Sequence, residues 1–315
     1  MRLRSLKPRS LRRRSLKPRA VRRAAAYGVL LAVTAAIVPD AGPAHVRAQL
    51  VAVDGARGVD HDAGVVWVLA LGSDARPGEN VVRSRADAIQ LVGLDPERGR
   101  GVVIGIPRDS YVPIPGVGSD KINSALFYGG PQLMADTVAD LVGIRADYVL
   151  VTDFPGMKAM VRDIGGITVY SDLGFTDPNM EGEIREGRNR LDGPEALFFT
   201  RARYYLPRGD FDRSAHQQEV LRGILREVRA HEGDPGFMER GALTALKHLR
   251  TDLGPRELYR FAHAVTSVEP QRFVGCVLAG SIGTAGAASV VFPDTAQAAR
   301  LGDQARDDAT FDEDC

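Results

Sequence analysis

The chain has 315 residues, 44% of them hydrophobic, which is enough for one large domain with a substantial apolar core or for two small ones. Its net charge of +1 hides an asymmetry, because residues 1–23 contain eleven Arg and Lys and no acid. The rest of the chain therefore has ten more acidic than basic residues, which argues against general nucleic-acid binding by that part.

The first elements in chain order are this basic segment and an apolar run. Residues 1–23 repeat Arg-Ser-Leu-Lys-Pro-Arg at 4–9 and 14–19, which is typical of a disordered cytoplasmic tail. Residues 24–39 are an uncharged run closed by Pro39 and predict a signal anchor, with a cleaved secretory signal as the alternative. Positive charges stay on the cytoplasmic side, so we expect a single-pass protein of the cell membrane whose later residues are extracellular.

The segments that follow predict one domain with flanking irregular parts. Residues 40–63 mix Pro, Gly, Ala and Asp without periodicity and predict a linker. Residues 64–300 predict a single extracellular domain, and residues 301–315 an acidic C-terminal tail. The two cysteines, Cys276 and Cys315, form either one disulfide or two unpaired thiols.

Strands and helices interleave through the domain. Buried apolar runs predict five strands: Val65–Leu71, Asp87–Leu94, Gly101–Ile106, Tyr148–Thr152 and Ile167–Tyr170. Helices are predicted at four places: Leu133–Val142, Pro155–Ile164, after the N-cap Asp192, and at 213–231. This alternation indicates a single layered α/β domain.

The first three strands predict a charged rim on one edge of the sheet. If the second strand runs antiparallel to the first, and the third antiparallel to the second, then the end of the first strand, the start of the second and the end of the third lie at the same edge of the sheet. The residues that converge there are Asp74, Arg76, Arg85, Asp87, Arg108 and Asp109. Two carboxylates with several guanidinium groups suit a diphosphate bound with Mg²⁺. The alternative is a set of surface salt bridges and turn residues.

A second cluster lies further along the chain. Arg201 and Arg203 flank one alanine at a predicted helix end, and Asp210 and Gln217 stand at the start of the next helix. An anion would be favoured there by the helix-terminal amides. The alternative for Asp210 or its neighbour Asp212 is a helix cap.

Together these segments resemble the LytR-CpsA-Psr family of cell-wall glycopolymer ligases. The resemblance rests on an ordered set of motifs between about residues 65 and 230: Leu71-Gly-Ser-Asp-Ala-Arg76, Arg85-Ala-Asp87, Ile106-Pro-Arg-Asp-Ser-Tyr-Val112, Lys121-Ile-Asn-Ser124, Gly129-Gly-Pro131, Asp163-Ile-Gly-Gly-Ile167, Leu191-Asp-Gly193, Arg201-Ala-Arg203 and Gly209-Asp-Phe-Asp-Arg213 with Gln217-Gln218. The family often has Arg-Ser-Asp where this chain has Ala86, which removes a hydroxyl beside the charged residues.

The resemblance implies an α/β/α sandwich with a central mixed, largely antiparallel sheet and a hydrophobic lipid-binding tunnel. It implies Mg²⁺-dependent transfer of a glycopolymer phosphate from a polyprenyl-pyrophosphate carrier to peptidoglycan, with no nucleic acid as partner. Asp74 and Asp87 would hold Mg²⁺, while Arg76, Lys121 and Gln217 would bind substrate. The expected catalytic residues are Arg85, Arg108, Asp109, Arg201, Arg203 and Asp210. The candidate base is Asp109 or Asp210.

Several alternatives stay open at this point. The apolar candidates for the tunnel wall are equally suited to an ordinary core: Leu126, Phe127, Met134, Val138, Leu141, Phe154, Met157, Met160 and Val161. A polyprenyl-pyrophosphate-sugar pyrophosphohydrolase would use the same site with water as acceptor. A non-catalytic lipid-carrier binding protein would not need Asp74 and Asp87. A DNA-binding regulator is suggested by the basic tail alone, which membrane topology explains better.

Overall fold

The computed structural model describes residues 47–56, 58, 64–76, 78–203, 206–231, 234 and 249–311. The predicted cytoplasmic tail and signal anchor, residues 1–39, lie outside these ranges, as does most of the predicted linker. Among the described residues, no helix combines the length and apolar character that a bilayer crossing requires.

The described residues form alternating strands and helices. The strands are β1 (Ala48–Ala52), β2 (Val66–Ser73), β3 (Ala86–Asp95), β4 (Arg100–Gly105), β5 (Tyr111–Ile114), β6 (Gly118–Lys121), β7 (Tyr148–Thr152), β8 (Ile167–Ser171), β9 (Phe175–Asp177), β10 (Met180–Ile184), β11 (Gly187–Leu191), β12 (Leu249–Thr251), β13 (Phe273–Val277), β14 (Gly280–Ala285) and β15 (Ala288–Pro293). The α-helices are α1 (Ser124–Val142), α2 (Phe154–Asp163), α3 (Gly193–Arg201), α4 (Asp210–His231), α5 (Pro255–Ser267) and α6 (Thr295–Ala305). A short 3₁₀ helix at Pro270–Arg272 precedes β13.

A seven-stranded sheet in the order β12-β1-β7-β2-β3-β4-β13 forms the centre of the described fold. The pairs β1–β7, β2–β3 and β3–β4 are antiparallel. The pairs β1–β12, β2–β7 and β4–β13 are parallel, which confirms a mixed sheet. Because β2, β3 and β4 pair antiparallel in sequence order, the predicted up-down-up path of the first three long strands is also confirmed.

Helices cover both faces of this sheet. Successive side chains of a strand point to opposite faces, and β3 shows the result. Ile89 and Leu91 pack in an apolar cluster with residues of α1 and α6. Val92 and Leu94 pack in a second cluster with residues of α4 and α5. Two apolar layers on one sheet make the α/β/α sandwich that the resemblance implied.

The described fold extends beyond the predicted domain at both ends. Strand β1 lies inside the segment predicted as a linker, yet Leu50 is 1% exposed and pairs with β7. Helix α6 crosses the boundary predicted at residue 300, and Leu301 and Ala305 are buried in the core. Cys276 on β13 is buried and disulfide-bonded, so of the two alternatives the unpaired thiol is excluded for Cys276, while Cys315 lies outside the described residues.

Helix boundaries differ from the prediction where glycine and proline interrupt the pattern. Helix α1 begins at Ser124, well before the predicted start, and continues through a kink at Gly130, whose φ is 71°, followed by Pro131. Helix α3 begins as predicted after Asp192. The Asp192 carboxylate accepts from the Glu195 backbone N–H, and the Glu195 carboxylate accepts from the Asp192 backbone N–H, both at 2.9 Å.

Candidate active site

The edge of the sheet where β2 ends and β3 begins carries the first predicted site residues. Asp74 follows β2, and its backbone N–H donates to the Arg85 carbonyl oxygen at 3.0 Å. Asp74 Oδ1 in turn accepts from the Arg85 backbone N–H at 2.9 Å. These bonds hold both ends of the β2–β3 loop together, so that the Asp74 carboxylate lies within the electrostatic influence of Asp87. The antiparallel return therefore brings the two predicted metal ligands to one edge.

Arg108 connects these carboxylates to the next group. Its guanidinium donates to the Asp87 carboxylate, and its Nε lies 3.9 Å from Asp109 Oδ2. Lys121 Nζ lies 2.9 Å from Asp109 Oδ1. Burial works against the charged form of Arg108, but the charges of Asp87 and Asp109 prevail and raise its pKa. Positive and negative groups thus alternate from Asp87 to Lys121.

The start of α4 brings a second group to the site. Asp210 Oδ1 lies 3.5 Å from Arg203 Nη1 and 3.3 Å from Arg213 Nη2. Arg213 is 6% exposed, and its burial lowers its pKa. Arg213 is absent from the predicted site residues, although it closes the motif that begins at Gly209. Its position three residues after Asp210 on a helix is the signal that could have identified it.

The two groups meet at Asp109 and Asp210, whose carboxyl groups are hydrogen-bonded to each other. Desolvation raises the pKa of Asp210, and the hydrogen bond with Asp109 adds to the rise. Desolvation also acts to raise the pKa of Asp109, but hydrogen bonds with Lys121 and Asp210 outweigh it and lower that pKa. The pair therefore titrates as a unit in which Asp109 carries the charge and Asp210 has the greater affinity for the proton.

A cavity opens beside the charged cluster, between the sheet and helices α2, α3 and α4. Its empty volume is about 790 Å³, counted with its open mouth. Asp87 and Arg201 line it, and along α4 its wall changes from Arg213 and Gln217 to apolar side chains. Those apolar residues of α4 are Val220, Leu221 and Ile224. One continuous cavity therefore joins a charged end to an apolar end.

The predicted tunnel residues divide between this cavity and the opposite face of the sheet. Phe154, Met157 and Met160 on α2 line the cavity. The candidates on α1 do not: Leu126 and Met134, for example, are fully buried in the core that α1 shares with α6. The core alternative is therefore correct for the α1 candidates except Phe127, which is 54% exposed and lines neither the core nor the cavity.

Arg201 and Gln217 both line the cavity but make different contacts. The guanidinium carbon of Arg201 lies 4.4 Å from the centre of the Phe154 ring, a cation–π arrangement. Gln217 is 8% exposed, and its Nε2 donates to the carbonyl oxygens of Asp87 and Thr200, both at 3.4 Å. Gln217 thus bridges β3, α3 and α4 as well as facing the cavity.

Two predicted residues remain at the margin of the cluster. Arg76 is exposed on the loop after Asp74, where its backbone N–H donates to Glu79 Oε2 at 2.8 Å. The Arg85 side chain is exposed too. Within the part of the chain that the structure describes, neither guanidinium forms an ion pair.

The donor set fits a hard divalent cation shared with a substrate. Desolvation and the charge of Asp87 raise the pKa of Asp74, so a cation between these carboxylates would relieve their repulsion. No group of three or more His, Cys, Asp or Glu side chains arranged for metal binding occurs among the described residues. Two carboxylates suffice for Mg²⁺, which usually keeps several waters and takes further oxygens from substrate phosphates.

Comparison with known proteins gives one consistent family. Residues 41–307 match the LytR_cpsA_psr family. A relative from Bacillus anthracis, polyisoprenyl-teichoic acid–peptidoglycan teichoic acid transferase TagU, is 33% identical over 196 residues. That alignment covers 62% of this chain and 62% of the relative, so the match spans less than two thirds of either protein.

Solved structures with the same fold agree with the family match. Bacillus subtilis TagV superposes with a TM-score of 0.65 at 23% identity, over 77% of this chain and 96% of TagV. The LytR-CPS2A-psr family protein YwtF (TagT), solved with bound octaprenyl pyrophosphate lipid, superposes with a TM-score of 0.58 at 24% identity. That superposition covers 76% of this chain and 88% of YwtF.

Proposed function

The chain belongs to the LytR-CpsA-Psr family, and from this membership we propose that it is a cell-wall phosphotransferase. It would move a glycopolymer phosphate from a polyprenyl-pyrophosphate carrier to peptidoglycan, forming a phosphodiester. One observation carries the proposal: the charged cluster around Asp87 and Arg213 opens into the same cavity as the apolar side chains of α2 and α4. An amphiphile with an anionic head and a long apolar tail matches that arrangement.

The guanidinium groups at the charged end supply the head-group contacts. Arg108, Arg201, Arg203 and Arg213 would neutralise the diphosphate, since guanidinium forks bind phosphate oxygens bidentately. Asp87 holds Arg108 in place before substrate arrives, and Asp210 does the same for Arg203 and Arg213. Such pre-organised charge is what phosphoryl transfer chiefly asks of a protein.

Asp74 and Asp87 would hold Mg²⁺, which when bound supplies charge stabilisation at the phosphate oxygens. The repulsion between the two carboxylates supports this assignment, because it disfavours the ionised pair in the absence of a cation.

In the proposed reaction an acceptor hydroxyl of peptidoglycan attacks the phosphorus that bears the glycopolymer. A P–O bond forms to the acceptor oxygen, the bridging P–O bond of the pyrophosphate breaks, and its electron pair leaves on polyprenyl phosphate. We assign Asp210 as the group that takes the hydroxyl proton, since its raised pKa makes it the better base of the Asp109–Asp210 pair. Arg203 and Arg213 stabilise its ionised form.

The proposed setting is the outer face of the cell membrane, with residues 24–39 as a single anchor. Support for this part comes from the basic segment followed by an apolar run. Protease treatment of intact cells tests it: the domain should be degraded while a tag placed before residue 1 is protected.

The full-length chain should be assayed with a short-chain polyprenyl-pyrophosphate-linked sugar and a peptidoglycan fragment, following products by mass spectrometry with and without Mg²⁺. We expect a phosphodiester product that requires Mg²⁺ and disappears in Asp87→Ala and Arg108→Ala. The matched control is Arg98→Ala, because Arg98 pairs with Asp95 at the opposite end of β3. Free sugar phosphate as the sole product would favour a pyrophosphohydrolase, and lipid binding without turnover would favour a binding protein.

A further inference from the structure

A buried polar seam runs along one side of the cavity, between the sheet and α4. Its members are Gln90 on β3 with Ser214, Gln217 and Gln218 on α4, exposed by 2%, 3%, 8% and 5% respectively. The other β3 side chains on this face, Ala88, Val92 and Leu94, are apolar. Burying a polar side chain costs free energy unless the side chain is hydrogen-bonded. The hydrogen bonds of Gln90 are therefore what allow a glutamine at this position.

The Gln90 amide nitrogen donates toward α4. Its Nε2 lies 3.0 Å from Gln217 Oε1 and 3.1 Å from Ser214 Oγ. Because Gln217 accepts through Oε1, its own Nε2 turns the other way and donates to the carbonyl oxygens of Asp87 and Thr200. Gln90 therefore determines which end of the Gln217 amide faces the head-group end of the cavity.

Neighbouring strands leave room for this seam. A Cβ at Gly105 on β4 would lie 2.4 Å from Ser214 Oγ and 2.7 Å from Gln218 Nε2. A Cβ at Gly275 on β13 would lie 2.4 Å from Gln218 Oε1. Gln218 Nε2 donates to the Cys276 carbonyl oxygen at 2.8 Å. Neither glycine has a positive φ, so the absence of a side chain, and not an unusual backbone, is what the seam needs.

The residues that Gln217 connects belong to three parts of the site. Asp87 is a proposed metal ligand, Thr200 precedes Arg201, and Gln217 shares one face of α4 with Asp210 and Arg213 at helical spacing. We propose that Gln90 is a positioning residue for the transfer reaction, which orients the Gln217 amide and through it sets the spacing of β3, α3 and α4 around the pyrophosphate. The inference rests on the proposed transferase function but concerns a residue outside the proposed metal-binding, phosphate-binding and catalytic set.

A double-mutant cycle on kcat tests this role. Gln90→Met keeps the side-chain length and removes the donor, and we expect kcat to fall about tenfold with KM changed less than about twofold, because misplacement of reacting groups acts on the chemical step. Gln217→Met should lose at least as much, and the double variant should equal Gln217→Met alone. Val92→Ala, on the same face of β3, is the control for lost packing and should keep kcat. Fully additive losses, or an unchanged kcat in Gln90→Met, would overturn the proposal.

A second measurement does not depend on turnover. In ¹⁵N-labelled full-length protein, the Gln217 side-chain NH₂ signals, assigned through Gln217→Met, should shift and exchange faster with solvent in Gln90→Met but not in Val92→Ala. Gln90→Glu should invert the amide, since a carboxylate accepts where Gln90 donates. If wild-type protein proves inactive, the transferase proposal fails and these signals still decide whether Gln90 orients Gln217. Unchanged Gln217 signals in Gln90→Met would reject the positioning role.

Discussion

The guanidinium carbon of Arg201 lies 4.4 Å from the centre of the Phe154 ring, at the cavity wall. Arg201 ends α3 and Phe154 begins α2, so the contact joins two helices at the charged end of the cavity. The face of the Phe154 ring holds the Arg201 guanidinium in place. Among the described residues no carboxylate forms an ion pair with Arg201, so its charge is available to a phosphate.

Replacing Phe154 should therefore weaken head-group binding while leaving the cavity apolar. We expect Phe154→Leu to raise the Kd for octaprenyl pyrophosphate about two- to fivefold, the equivalent of roughly 0.5–1 kcal/mol. Phe154→Tyr keeps the ring and should bind like the wild type. Calorimetric titration measures both, and an equal loss in the two variants would contradict a role for the ring face.

Lys121 should influence the pH dependence of kcat/KM through its contact with Asp109. Lys121 Nζ lies 2.9 Å from Asp109 Oδ1, and this contact is a main reason that the pKa of Asp109 is low. Lys121→Met removes the positive charge beside the coupled Asp109–Asp210 pair, so the pair should take up its proton at a higher pH. The acidic limb of kcat/KM, which reflects protonation of the base Asp210, should then move upward in pH. Lys158→Met on α2 removes an equal charge outside the cluster and should leave the limb in place. An unmoved limb in Lys121→Met would show that the Asp109–Asp210 pair does not govern it.

Magnesium should stabilise the fold through Asp74. At a Mg²⁺ concentration about ten times Kd, mass action contributes about 1.4 kcal/mol, which corresponds to about 3–6 °C in Tm for a domain of this size. Asp74→Asn keeps an oxygen for the Arg85 N–H but should abolish the Mg²⁺ effect.

Without Mg²⁺ at neutral pH, the same variant should be more stable than the wild type. The folded-state pKa of Asp74 is raised, so at pH values above it the ionised carboxylate lowers the free energy of unfolding. This destabilisation is lost as the pH falls through the folded-state pKa and Asp74 becomes protonated. Scanning calorimetry across pH, with and without Mg²⁺, measures both effects. Equal Mg²⁺ stabilisation of both proteins would place the cation elsewhere.

Gly105 should not tolerate even one methyl group. An alanine Cβ there would meet Ser214 Oγ at 2.4 Å and Gln218 Nε2 at 2.7 Å. We expect Gly105→Ala to cost about 1–3 kcal/mol of unfolding free energy through overpacking. Gly64→Ala, where no atom lies within 4 Å of the added carbon, is the control. Urea denaturation compares the two, and matching stabilities would mean that the seam can rearrange freely.

Strand β1 should be required for a stable domain, although the sequence predicted a linker there. It pairs with β7 over five residues and with β12 on its other side. A chain beginning at residue 60 would expose the edge of β7 and lose the buried Leu50, which contributes roughly 1.5–3 kcal/mol. We expect it to aggregate or lose cooperative unfolding, whereas a chain beginning at residue 45 should unfold like the full-length protein. Circular dichroism melts would distinguish these outcomes.

The sequence predicted those parts of the fold whose signals are local. Strand β3 is an apolar run with a clear turn after it, and α3 has a capping box and a proline in its first turn, so both were found within a residue or two. Strand β1 was missed because AQLVA is short and lies among Pro, Gly and Asp. Only its partners β7 and β12, distant in the chain, make it a strand.

In the candidate site too, some residues could be predicted from local sequence signals and others could not. Asp74, Asp87, Arg108 and Asp109 follow from strand ends, and pairing of neighbouring strands brings them together as predicted. Gln90 could not be predicted, since a glutamine within DAIQLVGL does not reveal that a helix more than a hundred residues later presents a partner for it.

A contact between the second strand, β2, and the residues after α6 has a consequence for biosynthesis. The Trp67 indole N–H donates to the Arg306 carbonyl oxygen at 3.3 Å across 239 residues, and Leu301, Ala305 and Ala309 complete the core around Trp67. An emerging polypeptide cannot close this face of the sheet until those late residues have left the ribosome. This face of the sheet is therefore completed only when residues 301–309 have emerged, through pairings between distant segments that are intrinsically slow to form, and until then Trp67 lacks part of its apolar cover.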